Sequence, residues 1–342
     1  MKIRIHFILI MMLLLATAVS GKTFRKVGTS AAQFLKIGVG ARALALGGAF
    51  GALANDASTV YWNPAGMITL DKIAWTGSHT KWFADINHQF TALVIPFSGS
   101  SSALGLSATF ITMGEEEITT ETSPRGTGFF WDANDIAVGI SYARWMTNRF
   151  ALGITMKYIS QNIYNESAST VAVDVGTYLR TGYKGIIIGM SFSNFGGTLK
   201  LSGRDLIRPY DPNPANTLST NVDSRLYTEP WPLPVNFRVA IAMELVGATD
   251  GFFSSFDNRL TLAIDGLHPN DDTEKLNLGF EYSWREMFFA RLGYGTGYDL
   301  NELAYGGGLK FGAAGSIFTF DYAFAPYGEL DNIHHFTIGL EF

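Results

Sequence analysis

The chain has 342 residues, no cysteine and a formal net charge of −5, with 47% hydrophobic, 16% charged and 14% aromatic residues. So few charges among so many aromatics exclude a disordered chain, which needs the opposite balance, and the acidic sum leaves no basic footprint for nucleic acid. Without cysteine there is neither a disulfide framework nor a thiolate metal site.

Lys2 and Arg4 precede an apolar run from Ile5 to Leu15, and Ala16-Thr17-Ala18-Val19-Ser20 follows it. This charged, apolar, small-residue order predicts a secretory signal peptide over residues 1–20, cut after Ala18 or Ser20. The run is too short to span a bilayer as a helix, which takes about 20 residues. No later stretch approaches that length, so any membrane crossing falls to strands.

Residues 21–71 do not alternate. Ser30-Ala31-Ala32-Gln33 has the spacing of a capping box and opens the apolar stretch Phe34-Leu35-Lys36-Ile37. Small residues dominate from Gly38 to Phe50, and Asn55-Asp56 predicts a cap for a helical turn through Ser58-Thr59-Val60. Asn63-Pro64-Ala65-Gly66 closes the segment with a turn. A small, apolar, lightly charged segment ahead of a wall of strands reads as a hatch, or plug, of short helices folded into a lumen.

From residue 72 to the end the pattern has period two. Leu276, Leu278, Phe280, Tyr282 and Trp284 alternate with Lys275, Asn277, Gly279, Glu281 and Ser283; Phe336, Ile338, Leu340 and Phe342 alternate with His335, Thr337, Gly339 and Glu341. Successive strand side chains point to opposite faces. The second face is mostly Gly, Ala, Ser, Thr and Asn, not the Lys and Glu of a solvated sandwich. That pattern predicts a transmembrane barrel, apolar outside and polar inside, with aromatic girdles at Tyr142, Tyr158, Tyr178, Trp284, Tyr294 and Phe342.

Fourteen strands are predicted, over 72–82, 86–97, 101–114, 134–146, 149–162, 168–181, 185–199, 233–246, 258–267, 274–285, 287–297, 303–313, 316–326 and 332–342. Short connections follow even strands and the two longest, 115–133 and 200–232, follow odd ones. Barrels have short periplasmic turns and longer outer loops, which predicts periplasmic N- and C-termini. The connection at 247–257 is long for that side. The fold class expected is therefore all-β: a 14-stranded antiparallel outer-membrane β-barrel over 72–342, with the hatch over 21–71 in its lumen.

The ordered run Gly40-Ala41-Arg42-Ala43, Gly47-Gly48-Ala49-Phe50, Asn55-Asp56-Ala57-Ser58 and Tyr61-Trp62-Asn63-Pro64-Ala65-Gly66-Met67 resembles the N-terminal block of the PorV/PorQ family. That family lies within the FadL-like outer-membrane barrels, whose hatch carries an Asn-Pro-Ala motif, here Asn63-Pro64-Ala65. The resemblance implies an integral protein of a Gram-negative-type outer membrane, working with type IX secretion components and binding exported cargo by its C-terminal signal domain. The FadL-like side implies instead uptake of a hydrophobic small molecule at the hatch. A chain of this length is short for a fatty-acid transporter, which favours the first. Neither implies a cofactor.

Within the hatch, the residues singled out are Arg42, Gly47, Gly48, Asp56, Asn63, Pro64, Ala65 and Gly66. Arg42, a lone charge among small residues, is expected to pair with an inward carboxylate such as Asp174, Asp265, Glu281 or Asp321, because a charge in a lumen costs least when paired. Inward Lys157, Arg238, Lys275, Arg291 and Lys310 are read as a network holding the plug. Asp271-Asp272 and Glu115-Glu116-Glu117 are read as solvated loops, and no metal site is assigned. His334 and His335 fall on opposite faces of the last strand. No Gly-x-Ser-x-Gly, Walker loop or His-Glu-x-x-His occurs, so no enzyme activity is expected. The proline-rich loop at 202–232 offers Tyr210, Tyr227 and Trp231 as a partner surface or as a cap on the barrel mouth.

Overall fold

The computed structural model describes residues 27–97, 99, 101–213, 215, 220–248, 251–300, 302–330 and 332–342. The expected signal peptide and the first residues of the expected hatch lie outside them. Fourteen long strands form the wall: β1 (Ala74–Lys81), β2 (Asn87–Phe97), β3 (Ser102–Thr112), β4 (Ala133–Trp145), β5 (Phe150–Ile163), β6 (Glu166–Arg180), β7 (Ile187–Gly196), β8 (Asn236–Gly247), β9 (Asn258–Pro269), β10 (Lys275–Trp284), β11 (Phe288–Thr296), β12 (Leu303–Ala313), β13 (Ser316–Pro326) and β14 (Asn332–Glu341). Each pairs antiparallel with its sequence neighbours. The wall closes where β1 meets β14, from Ala74 opposite Glu341 to Lys81 opposite His334. Every predicted strand is present, with ends shifted by no more than three residues.

The alternation sets which face meets lipid. On β4, Val138, Ile140 and Tyr142 are exposed on the outer face, while Ala137, Gly139, Ser141 and Ala143 between them are buried inside. Tyr142, Tyr158, Trp284, Tyr294 and Phe342 stand exposed, as aromatic girdles require. Tyr178 departs from the expectation. It falls on the inner face at 3% exposure, its ring edge-on to Trp145.

Two ends are distinguished by their connections. The long segments between β3 and β4 and between β7 and β8 lie at one end, here the loop end. Phe342 lies at the other, the terminus end, where its N–H donates to Ile73 O at 2.9 Å. Both long connections contain small hairpins: Glu116–Glu117 pairs with Phe130–Trp131, and Ile207–Tyr210 with Val222–Arg225. The long connection at the terminus end is also ordered locally, since Phe253–Ser254 runs parallel along Val246–Gly247.

The wall has register shifts between Glu244 and Val246 on β8 and between Val173 and Val175 on β6. Met190 and Phe192 face outward in step, but Phe195 is also exposed, three positions on. Between Val173–Phe195 and Val175–Phe192, two β7 residues, Ser193 and Asn194, oppose the single Asp174 of β6. This is a β-bulge, with Asn194 in the left-handed region at φ 63°.

The chain from residue 27 to Ile73 fills the lumen. Its helices are short: α1 (Ala41–Ala45), α2 (Thr59–Trp62) and 3-10 turns at Gln33–Lys36 and Pro64–Thr69. Inner-face glycines make the space. A Cβ on Gly153 would meet the Pro64–Ala65 backbone, and one on Gly293 would meet the backbone of Leu46 and Gly47. At the seam, the Ala41 N–H donates to Thr337 Oγ1 of β14 at 2.8 Å.

Candidate functional site

The hatch is built from short local motifs, each tied to the wall by a polar group. Helix α1 ends in a Schellman motif, with Gly47 N–H on Leu44 O at 2.9 Å and Gly48 N–H on Ala43 O at 2.9 Å. Gly47 has φ 64° and sits against the β11 backbone, so a side chain there meets both strain and a wall. The turn that follows presents the Phe50 and Gly51 N–H groups to Asp265 Oδ2, at 3.1 and 2.9 Å. Arg238 completes this knot. It donates to the same oxygen at 2.6 Å and to Gly48 O at 2.8 Å, and its guanidinium stacks 4.8 Å from the Trp62 ring.

Arg42 reaches the neighbouring strand β10, nearer the terminus end. Its Nε and Nη2 grip both oxygens of Glu281, at 2.8 and 2.9 Å, and Nη1 donates to Asn55 at 2.7 Å and Asp56 at 3.3 Å. Glu281 is fully buried and also takes Arg291 at 2.8 Å and Arg259 at 3.2 Å. Arg291 continues to Asp321 at 2.6 Å and Arg259 to Glu286 at 2.6 Å. Three guanidinium groups thus share one carboxylate, with Asp56, Asp321 and Glu286 around them. Every guanidinium group has at least two carboxylate contacts, so no cation in the cluster is left without an acid.

Asn63 acts as a spacer between hatch and wall. Its side-chain Nδ2 donates to Gly51 O at 2.8 Å and to Thr177 O of β6 at 3.0 Å, while Oδ1 accepts from the Ala65 N–H at 3.2 Å. Pro64, lacking an N–H, begins the 3-10 turn where none is needed. Gly66 lies against Ala54 and Thr59, closing the turn on the rest of the hatch. The remaining inward cations are paired too: Lys157 with Asp174 at 2.9 Å, Lys275 with Asp272 at 2.8 Å and Lys310 with Glu341 at 3.3 Å.

Three features were not anticipated at the loop end. The Ser30–Gln33 spacing does not make a capping box. Ala32, left-handed at φ 49°, precedes the 3-10 turn, and the Gln33 amide bonds back to Ser30. Both side chains then converge on Asp271, which also pairs with Lys36 at 2.9 Å. Asp271 is therefore buried, not a solvated loop residue. Burial alone would raise its carboxyl; the bonds from Gln33, Ser30 and Lys36, with the Lys36 charge, outweigh that and hold it below the ordinary range.

These contacts also place the first described residues at the loop end. Ala31 N–H donates to Pro232 O at 2.9 Å and Ala32 N–H to Gln161 Oε1 at 3.1 Å. The described start of the chain and Phe342 thus lie at opposite ends of the barrel, while the N-terminus of the expected hatch lies outside the described residues. No sequence signal joins Ser30 to a carboxylate 241 positions away.

Two cavities flank the hatch. The larger, about 440 Å³, opens on the loop side and is lined by Leu35, Tyr61, Trp62, Trp82, Tyr298 and Tyr327 among others. The smaller, about 120 Å³ at the terminus side, is walled by Arg42, Asp56 and Arg291. Above the mouth, Tyr210, Tyr227 and Trp231 are all exposed, with Lys200 Nζ 4.3 Å from the Tyr227 ring. Among the described residues no group of His, Asp and Glu is arranged to hold a metal ion. His335 is buried against Thr80, and His334 stands outside with Tyr322.

Residues 20–201, just over half of the chain, match the family described as type IX secretion system protein PorV. The chain belongs to the PorV family. Its fold is shared with solved barrels of low sequence identity. A CymD monoaromatic hydrocarbon channel is similar at TM-score 0.55 and 11% identity, over 89% of this chain and 96% of that one. A FadL homologue of Pseudomonas aeruginosa gives 0.54 and 13%, over 89% and 98%. The Ralstonia pickettii toluene transporter TbuX gives 0.53 and 12%, over 89% and 97%. No curated protein matches the chain. The PorV-family chain is thus an integral outer-membrane barrel of FadL-like fold, of the kind that serves type IX secretion.

Proposed function

We infer that this PorV-family barrel binds exported cargo through the cargo's C-terminal signal domain and carries it toward surface attachment. The observation that carries this reading is the exposed set Tyr210, Tyr227 and Trp231 over a lumen already occupied by the hatch. Tyr and Trp are favoured anchors of protein interfaces. A lumen filled by a hatch with paired charges leaves the mouth as the surface to be read. On this reading the loop end faces outward, Phe342 faces the periplasm, and residues 30–36 lie near the outer mouth. No catalytic step is assigned to any residue.

One observation favours a second reading, uptake of a hydrophobic small molecule. The loop-side cavity is within the range of small-molecule sites and carries aromatic and aliphatic walls directly on the hatch. Purification of the full chain in detergent from cells with an intact type IX system separates the two. Recovery of exported proteins sharing a C-terminal β domain supports the first reading, above all if the Tyr227→Ala, Trp231→Ala double variant loses them. Retained fatty acid or hydrocarbon without such proteins supports the second. Recovery of neither overturns both.

A further inference from the structure

The rim at the terminus end is electrically lopsided. In the half formed by β9 to β14, each rim cation has a carboxylate: Arg259 meets Glu286, Arg285 meets Asp257 and Lys310 meets Glu341. The half formed by the β4–β5 and β6–β7 turns differs. It carries Arg144, Arg149, Arg180 and Lys184, all exposed, and no Asp or Glu occurs in those turns or in the three strand residues on either side of each. Among the described residues no carboxylate pairs with any of the four.

Three of the four are positioned by neutral groups. Arg149 Nη1 leans on Thr181 O at 3.5 Å, Arg180 stacks 4.8 Å from the Trp145 ring, and Lys184 Nζ lies 5.9 Å from the Phe252 ring. Arg144 alternates in step with Tyr142, so it projects from the outer, lipid-facing wall, nearer the rim than that girdle residue. Exposed Tyr183 and Phe252 extend the same sector.

We propose that this sector binds the phosphate of anionic phospholipid headgroups in the adjacent leaflet. Guanidinium groups grip phosphate through paired N–H donors, and aromatic rings settle at the same depth beside the headgroups. Arg144 decides between lipid and an acidic soluble protein. Its place on the outer wall is reached from within the leaflet, so a soluble partner meets it only by displacing lipid. The proposal rests on the membrane barrel and is independent of the cargo reading.

The test is native mass spectrometry of the full chain in detergent, titrated with phosphatidylglycerol or phosphatidylcholine. The wild type is expected to retain phosphatidylglycerol several-fold better, with the preference declining as salt rises. The triple variant R144Q, R149Q, K184Q should lose the preference while keeping its strand circular dichroism. The charge-preserving pair R144K, R149K should keep most of it, and R285Q with K310Q on the opposite half should keep all of it. Equal retention of the two lipids by the wild type, or an unchanged preference in the triple variant, overturns the proposal. So does retention of an acidic protein in place of lipid.

Discussion

Arg42 and Glu281 form a two-bond pair, Nε to Oε2 at 2.8 Å and Nη2 to Oε1 at 2.9 Å, that joins helix α1 of the hatch to strand β10 of the wall. The pair sits at the centre of a cluster in which Glu281 also neutralises Arg259 and Arg291. Removing that one carboxylate breaks the buried centre of the cluster and leaves Arg42, Arg291 and Arg259 with only their outer partners Asp56, Asp321 and Glu286.

Glu281→Gln is therefore expected to cost about 3–5 kcal/mol, the range for breaking a buried pair. Hydrogen exchange over residues 40–56 should accelerate and the thermal transition should fall. Asp56→Asn, at the partly exposed edge of the same cluster, should cost about 0–1 kcal/mol. Equal effects from the two variants would show that the cluster is not centred on Glu281.

The close approach of Gly293 to Gly47 makes a second prediction. Gly293→Ala puts a methyl into backbone that has no flexible end to yield, and about 1–3 kcal/mol is the usual cost of such overpacking. Gly312→Ala, where the added carbon meets only Ser316 O at 3.9 Å, should change stability by no more than about 0.5 kcal/mol. Thermal melts of the two variants in one detergent make the comparison.

The tie between Ser30, Gln33, Lys36 and Asp271 depends on pH. The native Asp271 carboxyl lies below its ordinary value, so its contribution is complete above the unfolded pKa of about 3.9. It is lost as pH falls through the lowered native value. Exchange protection over residues 30–37 should thus hold at neutral pH and decline below about pH 4. Asp271→Asn should show weak protection at neutral pH and little further change on acidification.

Loss of a central aromatic anchor commonly costs 2 kcal/mol or more of binding, about 30-fold in affinity. Tyr227→Ala and Trp231→Ala are each expected to weaken capture of a cargo C-terminal domain by about that factor, with the barrel melt unchanged. Surface-plasmon measurements on the detergent-solubilised chain give the affinity. Unaltered binding in both variants would remove this loop from the cargo reading.

Much of the wall was legible because its rule is local. Val138, Ile140 and Tyr142 declare a lipid face through period two alone, whatever the rest of the chain does. Arg42 was legible as a residue in need of an acid, and Glu281 was among the four carboxylates named for it. Choosing among the four required the three-dimensional arrangement of β6, β9, β10 and β13. Asp271 was misread as solvated because its partners come from the far end of the chain. Tyr178 was misread as a girdle residue because an aromatic near a strand end satisfies either face, and only the phase of β6 decides. The bulge at Asn194, which puts Phe195 out of step with Phe192, was not read from the sequence.

The Ala41–Thr337 bond at the seam has a consequence for biogenesis. Strand β14 completes the ladder to β1 and, through Thr337, receives the N–H of Ala41 at the start of α1. A chain that closed its wall with the hatch left outside would form the ladder without that bond, and its inner-face glycines would line an empty bore. Sealing the cylinder and seating its stopper are coupled through β14, so the strand that closes the wall also registers whether the hatch is in place.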